Sequence, residues 1–361
     1  MRENNNKRYA LILAGGKGSR LWPISTTNKP KQYLNLYSNN IMINETIKRI
    51  EKLFKYNDIF VITSIEQKEL AERYIDNRIP RENIIFEPMP RNTAMCIFYA
   101  SIRILEQRGN GTITVLSSDH YIDEPEKLLN NIEEGIELAS KEENLVTIGI
   151  KPTYPATGFG YIKYNYDDDL KCNIVKEFKE KPVYEKAREY IESGRYYWNS
   201  GMFIWEISSI LKNYKEFLPQ IYKYKEQIAN SIRNKKDILK NIYENIQSIS
   251  IDKGILEKSN NIKMVKGEFE WLDIGSINDF FKIQEKDLNN NVKKGNLIAE
   301  DIENCSIYND DNGTVIATVG IKDLNIINSN NVILIANKDK MGELPNLIEK
   351  IKCDKELKKY L

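Results

Sequence analysis

Tyr9-Ala10-Leu11-Ile12-Leu13-Ala14-Gly15-Gly16-Lys17-Gly18-Ser19-Arg20-Leu21 is an apolar run that gives way to glycines. Tyr9 to Leu13 are uncharged and unbroken, which predicts a parallel strand buried on both faces. The glycines at 15, 16 and 18 let bare backbone approach a bound anion, with successive N–H groups converging on phosphate oxygens. Arg20 adds a planar guanidinium suited to two phosphate oxygens, and Lys31, in Pro30-Lys31-Gln32, adds a mobile point charge. The stretch therefore predicts a nucleotide phosphate site. It lacks the last glycine of the dinucleotide fingerprint and contains no G-x-x-x-x-G-K-[ST], which argues against a nicotinamide dehydrogenase and a P-loop NTPase.

Outward from this loop, strand-like and helix-like stretches alternate up to about residue 150. Ile59-Phe60-Val61-Ile62, Ile84-Ile85-Phe86, Ile113-Thr114-Val115-Leu116 and Leu145-Val146-Thr147-Ile148 are short and β-branched. Such alternation predicts a parallel sheet wrapped by helices, with ligands at the carboxyl ends of the strands. From 151 to about 285 a mixed region follows: strands opened by Gly158, spanning Cys172 to Phe178 and Trp198 to Trp205, then a helical stretch from Leu211 to Ile246. Near Asp287-Leu288-Asn289-Asn290-Asn291 the composition changes. Short β-like runs separated by Asn, Asp and Gly turns then predict a small all-β appendage ending in a helix from Leu344 to Tyr360. The expected domains are 1–286 and 287–361.

Lys and Arg number 53 against 52 Asp and Glu, a net charge of +1 over 361 residues. That balance argues against dedicated nucleic-acid or membrane-surface binding. The N-terminus carries no secretory core and no run approaches the ~18 apolar residues of a membrane span. Four cysteines without a C-x-x-C pair predict free thiols in a reducing, cytoplasmic setting.

Asp119, in Ser117-Ser118-Asp119-His120, follows a strand near the glycine loop and is placed to hold Mg²⁺; it stands too far from Glu124-Pro125 to cap the next helix. His120, the single histidine, reads as a structural hydrogen-bonder. Asp273 lies among apolar residues in Trp271-Leu272-Asp273-Ile274-Gly275-Ser276, and reads equally as a second Mg²⁺ ligand or as a helix cap. Glu180 and Lys181 end a strand before Pro182 and suit a sugar hydroxyl and a phosphate; by themselves they read as a solvated strand end. Trp198-Asn199-Ser200-Gly201-Met202-Phe203 suits a sugar ring, or equally a half-buried core strand. Arg91-Asn92-Thr93 reads as a base or ribose contact, or equally as a cap.

Together these motifs resemble the sugar-1-phosphate nucleotidyltransferases, and within them the mannose-1-phosphate guanylyltransferases (GDP-mannose pyrophosphorylases). The resemblance runs from about residue 8 to 340. It rests on Leu13 to Pro23, Pro30-Lys31-Gln32, Arg91-Asn92-Thr93-Ala94, Asp119-His120, Thr157-Gly158-Phe159-Gly160-Tyr161-Ile162, Phe178 with Glu180-Lys181-Pro182, Trp198 to Phe203, and Asp273 to Ser276. Ser118, Met95, Ile277 and Thr26 or Thr27 depart from the family's usual residues, which touches substrate detail more than reaction type. The resemblance implies a Rossmann-like, GT-A-type α/β fold, with a mixed, mainly parallel sheet flanked by helices and a small C-terminal β domain. It also implies GDP-mannose and pyrophosphate made from GTP and α-D-mannose 1-phosphate, with Mg²⁺ as cofactor and a homodimer. Arg20, Lys31, Asp119 and Asp273 would be catalytic, the two aspartates holding the metal. Ala14, Gly15, Gly16, Lys17, Gly18, Ser19, Arg20, Asn92, Thr93 and Ser118 would bind nucleotide; Gly158, Tyr161, Glu180, Lys181 and Asn199 would bind the sugar phosphate. The alternatives are another sugar or NTP, such as heptose 1-phosphate, or a non-catalytic nucleotide-sugar sensor.

Overall fold

A computed structural model describes residues 7–16, 18–141, 143–234 and 238–361. The chain divides into two compact units, one formed by residues up to Gly15, Thr46–Ser118 and Ile122–Trp271, the other by Gly16–Glu45, Asp119–Tyr121 and Leu272–Leu361.

The described strands, in chain order, are β1 (Arg8–Leu13), β2 (Ile59–Ser64), β3 (Ile84–Glu87), β4 (Thr112–Ser117), β5 (His120–Ile122), β6 (Leu145–Ile150), β7 (Tyr161–Asp167), β8 (Cys172–Lys179), β9 (Tyr196–Glu206), β10 (Ile262–Gly267), β11 (Trp271–Asp273), β12 (Val292–Lys294), β13 (Leu297–Glu303), β14 (Ser306–Asn309), β15 (Ile316–Lys322), β16 (Leu324–Ser329) and β17 (Val332–Asn337). The first unit is built on one sheet in the order β3-β2-β1-β4-β9-β6-β10-β8-β7. β1 pairs in parallel with β2 and β4, and β2 with β3. The apolar runs of β1 and β2 lie in the core, as strands covered on both faces require.

Beyond β4 the pairing is mixed. β9 runs antiparallel to β4, β6 and β7, and β8 runs antiparallel to β7 and β10; β6 with β10 is the parallel exception. The expected predominance of parallel pairing thus holds only for β3-β2-β1-β4. Four residues join β7 to β8, too few for the crossover that parallel neighbours need. Because β7 pairs with both β8 and β9, this half closes on itself like a barrel. The expected Leu211–Ile246 helix is broken: Ile207–Phe217 ends before Pro219, and the shorter Pro219–Tyr222, Lys225–Asn234 and Leu239–Glu244 helices follow.

In the second unit the appendage is a parallel β-helix. β12, β14 and β16 stack in parallel, β13 stacks on β15, and β17 closes the end antiparallel to β16. Leu297 faces Ile316 and Ser306 faces Asn325, each 19 positions on. Corner residues keep the same period: Asp301 and Gly320, and Asn304 and Asp323, all have positive φ. Side-chain amides also stack between coils. Asn328 Nδ2 donates to Asn309 Oδ1 (3.0 Å), and Asn309 Nδ2 donates to the Asn296 and Thr314 carbonyls (2.9 Å each).

Asn309 is 5% exposed, so replacing it leaves those two carbonyls without a side-chain donor. Asn309→Ala is expected to destabilise the C-terminal coils by about 2–4 kcal/mol, whereas Asn312→Ala, on the exposed turn, stays within about 0.5 kcal/mol. Urea unfolding of the two variants against the parent measures the contrast.

Candidate active site

Within the second unit, Lys31 occupies a 3₁₀ turn (Lys31–Tyr33) started by Pro30. Gln32 Nε2 donates to the Gly16 carbonyl (3.1 Å), fixing the turn to the glycine loop. Gly18, at φ +64°, is required here: a Cβ would stand 2.8 Å from Lys31 Cβ and 2.7 Å from Ser25 Oγ. The lysine is 6% exposed. Its ammonium donates to Asp119 Oδ2 (2.7 Å), Asp273 Oδ1 (3.3 Å) and the Ile274 carbonyl (2.7 Å). An ammonium has three protons, so all of them are engaged. Burial alone would lower the Lys31 pKa, but the two carboxylates outweigh it and the net shift is upward.

Neither aspartate caps a helix. Ser276 caps Ile277–Lys282 by accepting from Asp279 N–H, and the Pro125–Ala139 helix has no side-chain cap. Ligand atoms of Asp119, His120 and Asp273 lie within 4.8 Å of one another. Two hard carboxylate oxygens at this spacing fit a magnesium ion. His120 is buried in β5. Arg20 is exposed, with Nη2 3.5 Å from the position a Gly275 Cβ would take.

The first unit holds most of the remaining residues. Gly15 is exposed; Ala14 N–H is bonded to the Ile62 carbonyl (2.8 Å) and Ser118 N–H to that of Leu13 (3.0 Å). Ser118 is also buried and anchors the end of β4. Lys17 lies outside the described residues, and of Ser19 only the backbone, in the Ser19–Leu21 turn, is described. Asn92 opens the Asn92–Arg108 helix at φ +64° and is exposed. Thr93 Oγ1 accepts from Ile251 N–H (2.9 Å).

Around the sugar motifs, Glu180, Lys181 and Asn199 come together. Gly160 permits it, since a Cβ there would stand 2.7 Å from Glu180 Oε2 and 3.4 Å from Asn199 Cβ. Glu180 is ion-paired with Lys181, an exposed residue at φ +49°. A non-glycine residue held there is a marker of functional strain. Gly158 is exposed with nothing near its Cα face. Tyr161 is fully buried and its hydroxyl donates to the Ala156 carbonyl (2.9 Å). Its side chain is therefore packed within the core.

The first unit holds two further carboxylates that no sequence motif marks, one beside Asn199 and one beside Gly15. Asp252 accepts from Asn199 Nδ2 (2.9 Å). Glu87, ending β3, accepts from Tyr243 OH (2.9 Å), and its Oε2 lies 4.0 Å from where a Gly15 Cβ would stand. Burial pushes the Glu87 carboxyl up to about 7 against the opposing bonds from Tyr243 and Cys96. A carboxylate at a parallel strand's carboxyl end was the available signal, as it was for Asp119.

The nucleotidyl transferase family model matches residues 9–290, and that of the mannoseP isomerase/GMP-like β-helix domain matches 295–351. The mannose-1-phosphate guanylyltransferase of Salmonella montevideo is 33% identical over 353 residues, covering 95% of this chain and 74% of that protein. The crystal structure of mannose-1-phosphate geranyltransferase from Thermus thermophilus superposes with a TM-score of 0.86 at 28% identity, covering 96% of this chain and 99% of that one. That of mannose-6-phosphate isomerase from Helicobacter pylori gives 0.61 at 29% identity, covering 74% and 100%.

Glu87 makes a pH-dependent prediction. Its folded pKa of about 7 exceeds the unfolded value of about 4.3. The folded state therefore holds the proton more tightly, and stability falls as pH rises between the two values. Glu87→Gln is expected to melt above the parent at pH 8, by at most about 4 kcal/mol in stability, with the gap closing near pH 4. Thermal melts across pH measure it, and a pH-independent gap would refute the linkage.

Proposed function

The chain belongs to the nucleotidyl transferase family and, within it, to the mannose-1-phosphate guanylyltransferases, and from that premise we propose that it converts GTP and α-D-mannose 1-phosphate to GDP-mannose and pyrophosphate. The observation that carries the reading is Lys31 held between Asp119 and Asp273. A non-bridging oxygen of the sugar phosphate attacks the α-phosphorus in line. The bond from that phosphorus to the oxygen bridging to the β-phosphorus breaks, and pyrophosphate leaves with the electron pair. The attacking oxygen is already ionised, so no general base is needed. The chemical demand is alignment of two anions and neutralisation of their charge.

Arg20 and the backbone after Gly15 would hold the triphosphate, and Asn92 the nucleoside. Lys181 would meet the sugar phosphate, while Glu180, Asn199 and Gly158 would bind the sugar. Magnesium, held by Asp119 and Asp273, would supply charge neutralisation at the phosphates. With the carboxylates engaged by that ion, Lys31 would turn its ammonium to the α-phosphate. Glu87 extends the reading to the base: guanine offers two adjacent donors, N1–H and the 2-amino group, to a carboxylate. Uracil and thymine flank one N–H with carbonyls, which a carboxylate repels.

We also read the enzyme as a cytoplasmic homodimer. The free cysteines and the exposed Ile333 and Ile335 on the edge strand β17 support this. No described helix is long and apolar enough to cross a membrane.

Pyrophosphate release from four NTPs against several sugar 1-phosphates tests the reaction; the expected optimum is GTP with mannose 1-phosphate, and another optimum would reassign base or sugar. The same preparation assayed for mannose 6-phosphate isomerisation reads the activity named for the Helicobacter protein. Lys31→Met is expected to lower kcat by about 10²–10³ with the fold intact. Full turnover in Asp119→Asn would discard the metal assignment. Glu87→Gln should shrink the preference for GTP over ITP, which lacks the 2-amino group; an unchanged ratio would remove Glu87 from the base.

A further inference from the structure

Asn199 sits where β9 is irregular. The register with β6 shifts between Thr147 and Gly149, and Gly201 has φ +74°. Ser200 Oγ donates to the Ile148 carbonyl (2.7 Å) and pins the distortion to β6. The Asn199 side-chain oxygen accepts from Thr147 Oγ1 (3.0 Å) and Gly201 N–H (3.2 Å). Those two donors fix the amide's orientation, because a flipped amide would set N–H against N–H. Its NH₂ group is thereby turned to Asp252 Oδ1 at 2.9 Å. One N–H is engaged there, and the amide carries a second.

Asp252 opens a single π-turn, Asp252–Leu256, a geometry that recurs at functional sites. It is enclosed by protein yet keeps an accessible edge. Burial and the neighbouring Glu180 carboxylate raise its pKa to about 6, opposed by Lys181 and the Asn199 bond. Glu180 and Asp252 therefore share one nearby ammonium, that of Lys181, which is itself largely exposed. A site with two carboxylates and one mobile cation is short of donors. Sugar hydroxyls are donors that bring no charge, so they satisfy the carboxylates without adding to the field.

We infer that Asp252, paired with the Asn199 amide, reads a single hydroxyl of the sugar ring: the hydroxyl donates to the second Asp252 oxygen and accepts from the remaining Asn199 N–H. This rests on the sugar-phosphate reading of the site given above. A donor and an acceptor set side by side admit a hydroxyl in one orientation and reject both its absence and its epimer. Asp252 is then a specificity-determining residue, whereas Glu180 and Lys181 serve the ring's other edge and its phosphate.

The experiment is a coupling measurement. kcat/KM is determined for wild type, Asp252→Asn and Asp252→Ser with mannose 1-phosphate and with its 2-, 3-, 4- and 6-deoxy analogues, at saturating GTP. In wild type, one analogue is expected to fall by about 10- to 100-fold, the worth of a hydrogen bond to a charged group. The Asp252 variants should lose about that factor with the parent sugar and nothing further with that analogue, while KM for GTP stays unchanged. If every analogue loses the same factor in variants and wild type, Asp252 makes no hydroxyl contact and the inference falls. Loss of GTP affinity in both variants would equally overturn it, as a structural role. If wild type favours another hexose 1-phosphate, the deoxy series of that sugar decides the role of Asp252 in the same way. Absence of turnover with every hexose 1-phosphate would remove the reaction itself and this inference with it.

Discussion

A buried ammonium shared by two carboxylates is the constraint on which the second unit is organised. Lys31, Asp119 and Asp273 are far apart in sequence, yet each reaches the cluster from a short, rigid element: a 3₁₀ turn, the turn that follows β4, and the end of β11. The two carboxylates keep part of their hydration, whereas the lysine is buried, so the ammonium depends on them for its partners. The cluster is therefore a structural lock as well as a chemical one. Its charges sum to one negative, which leaves it receptive to a divalent cation.

The lock needs a frame, and the β-helix supplies it. Leu21, Trp22, Ile24, Leu34 and Leu36, from the loop that carries Arg20 and Lys31, share one apolar cluster with Ile274, Phe280, Tyr308, Ile327 and Leu344. Polar contacts reinforce it: Trp22 Nε1 donates to the Tyr360 carbonyl (2.7 Å), and Asn330 Nδ2 to that of Pro23 (2.7 Å). A glycine-rich segment would otherwise sample many conformations. Burying Leu21, Trp22, Ile24, Leu34 and Leu36 against the stacked coils sets the backbone beside Arg20 and Lys31 in advance, which is what preorganised catalysis requires.

How much of this was legible followed from the kind of signal each part carries. Glycines after a strand, a cation, and a proline-led turn are local chemistry, so the loop and Lys31 could be read directly. Asp119 was legible from its place at a strand's carboxyl end near the glycine loop, and Asp273 because a carboxylate among apolar neighbours demands a partner. Glu87 and Asp252 obey the same logic, but each is a single acid at an element's end, and its partners (Tyr243, Asn199) lie far away in sequence. The β-helix was hidden for another reason. Its 19-residue period is kept by backbone sign at Asp301, Gly320, Asn304 and Asp323, residues of different type that the corner conformation treats alike. Tyr161 entered only through the resemblance, and its burial and its bond to the Ala156 carbonyl could not be read from the residues around it.

The two carboxylate clusters show how one formal charge gives two chemistries. Each holds two acids and one lysine. Lys31 is buried with every proton engaged, so its cluster has fixed geometry and a focused field, suited to a small hard cation and to phosphate. Lys181 is exposed and held in a strained backbone conformation, so the charge it brings to Glu180 is screened by water. The acids left beside it, Glu180 and Asp252, then gain most from neutral hydroxyl donors. Burial, and not composition, thus separates a cluster with a fixed, focused field from one with a solvated cation. It also accounts for a group-transfer enzyme with one histidine: where both reactants arrive ionised, the protein's task is to arrange charge, and proton transfer has no part in the step.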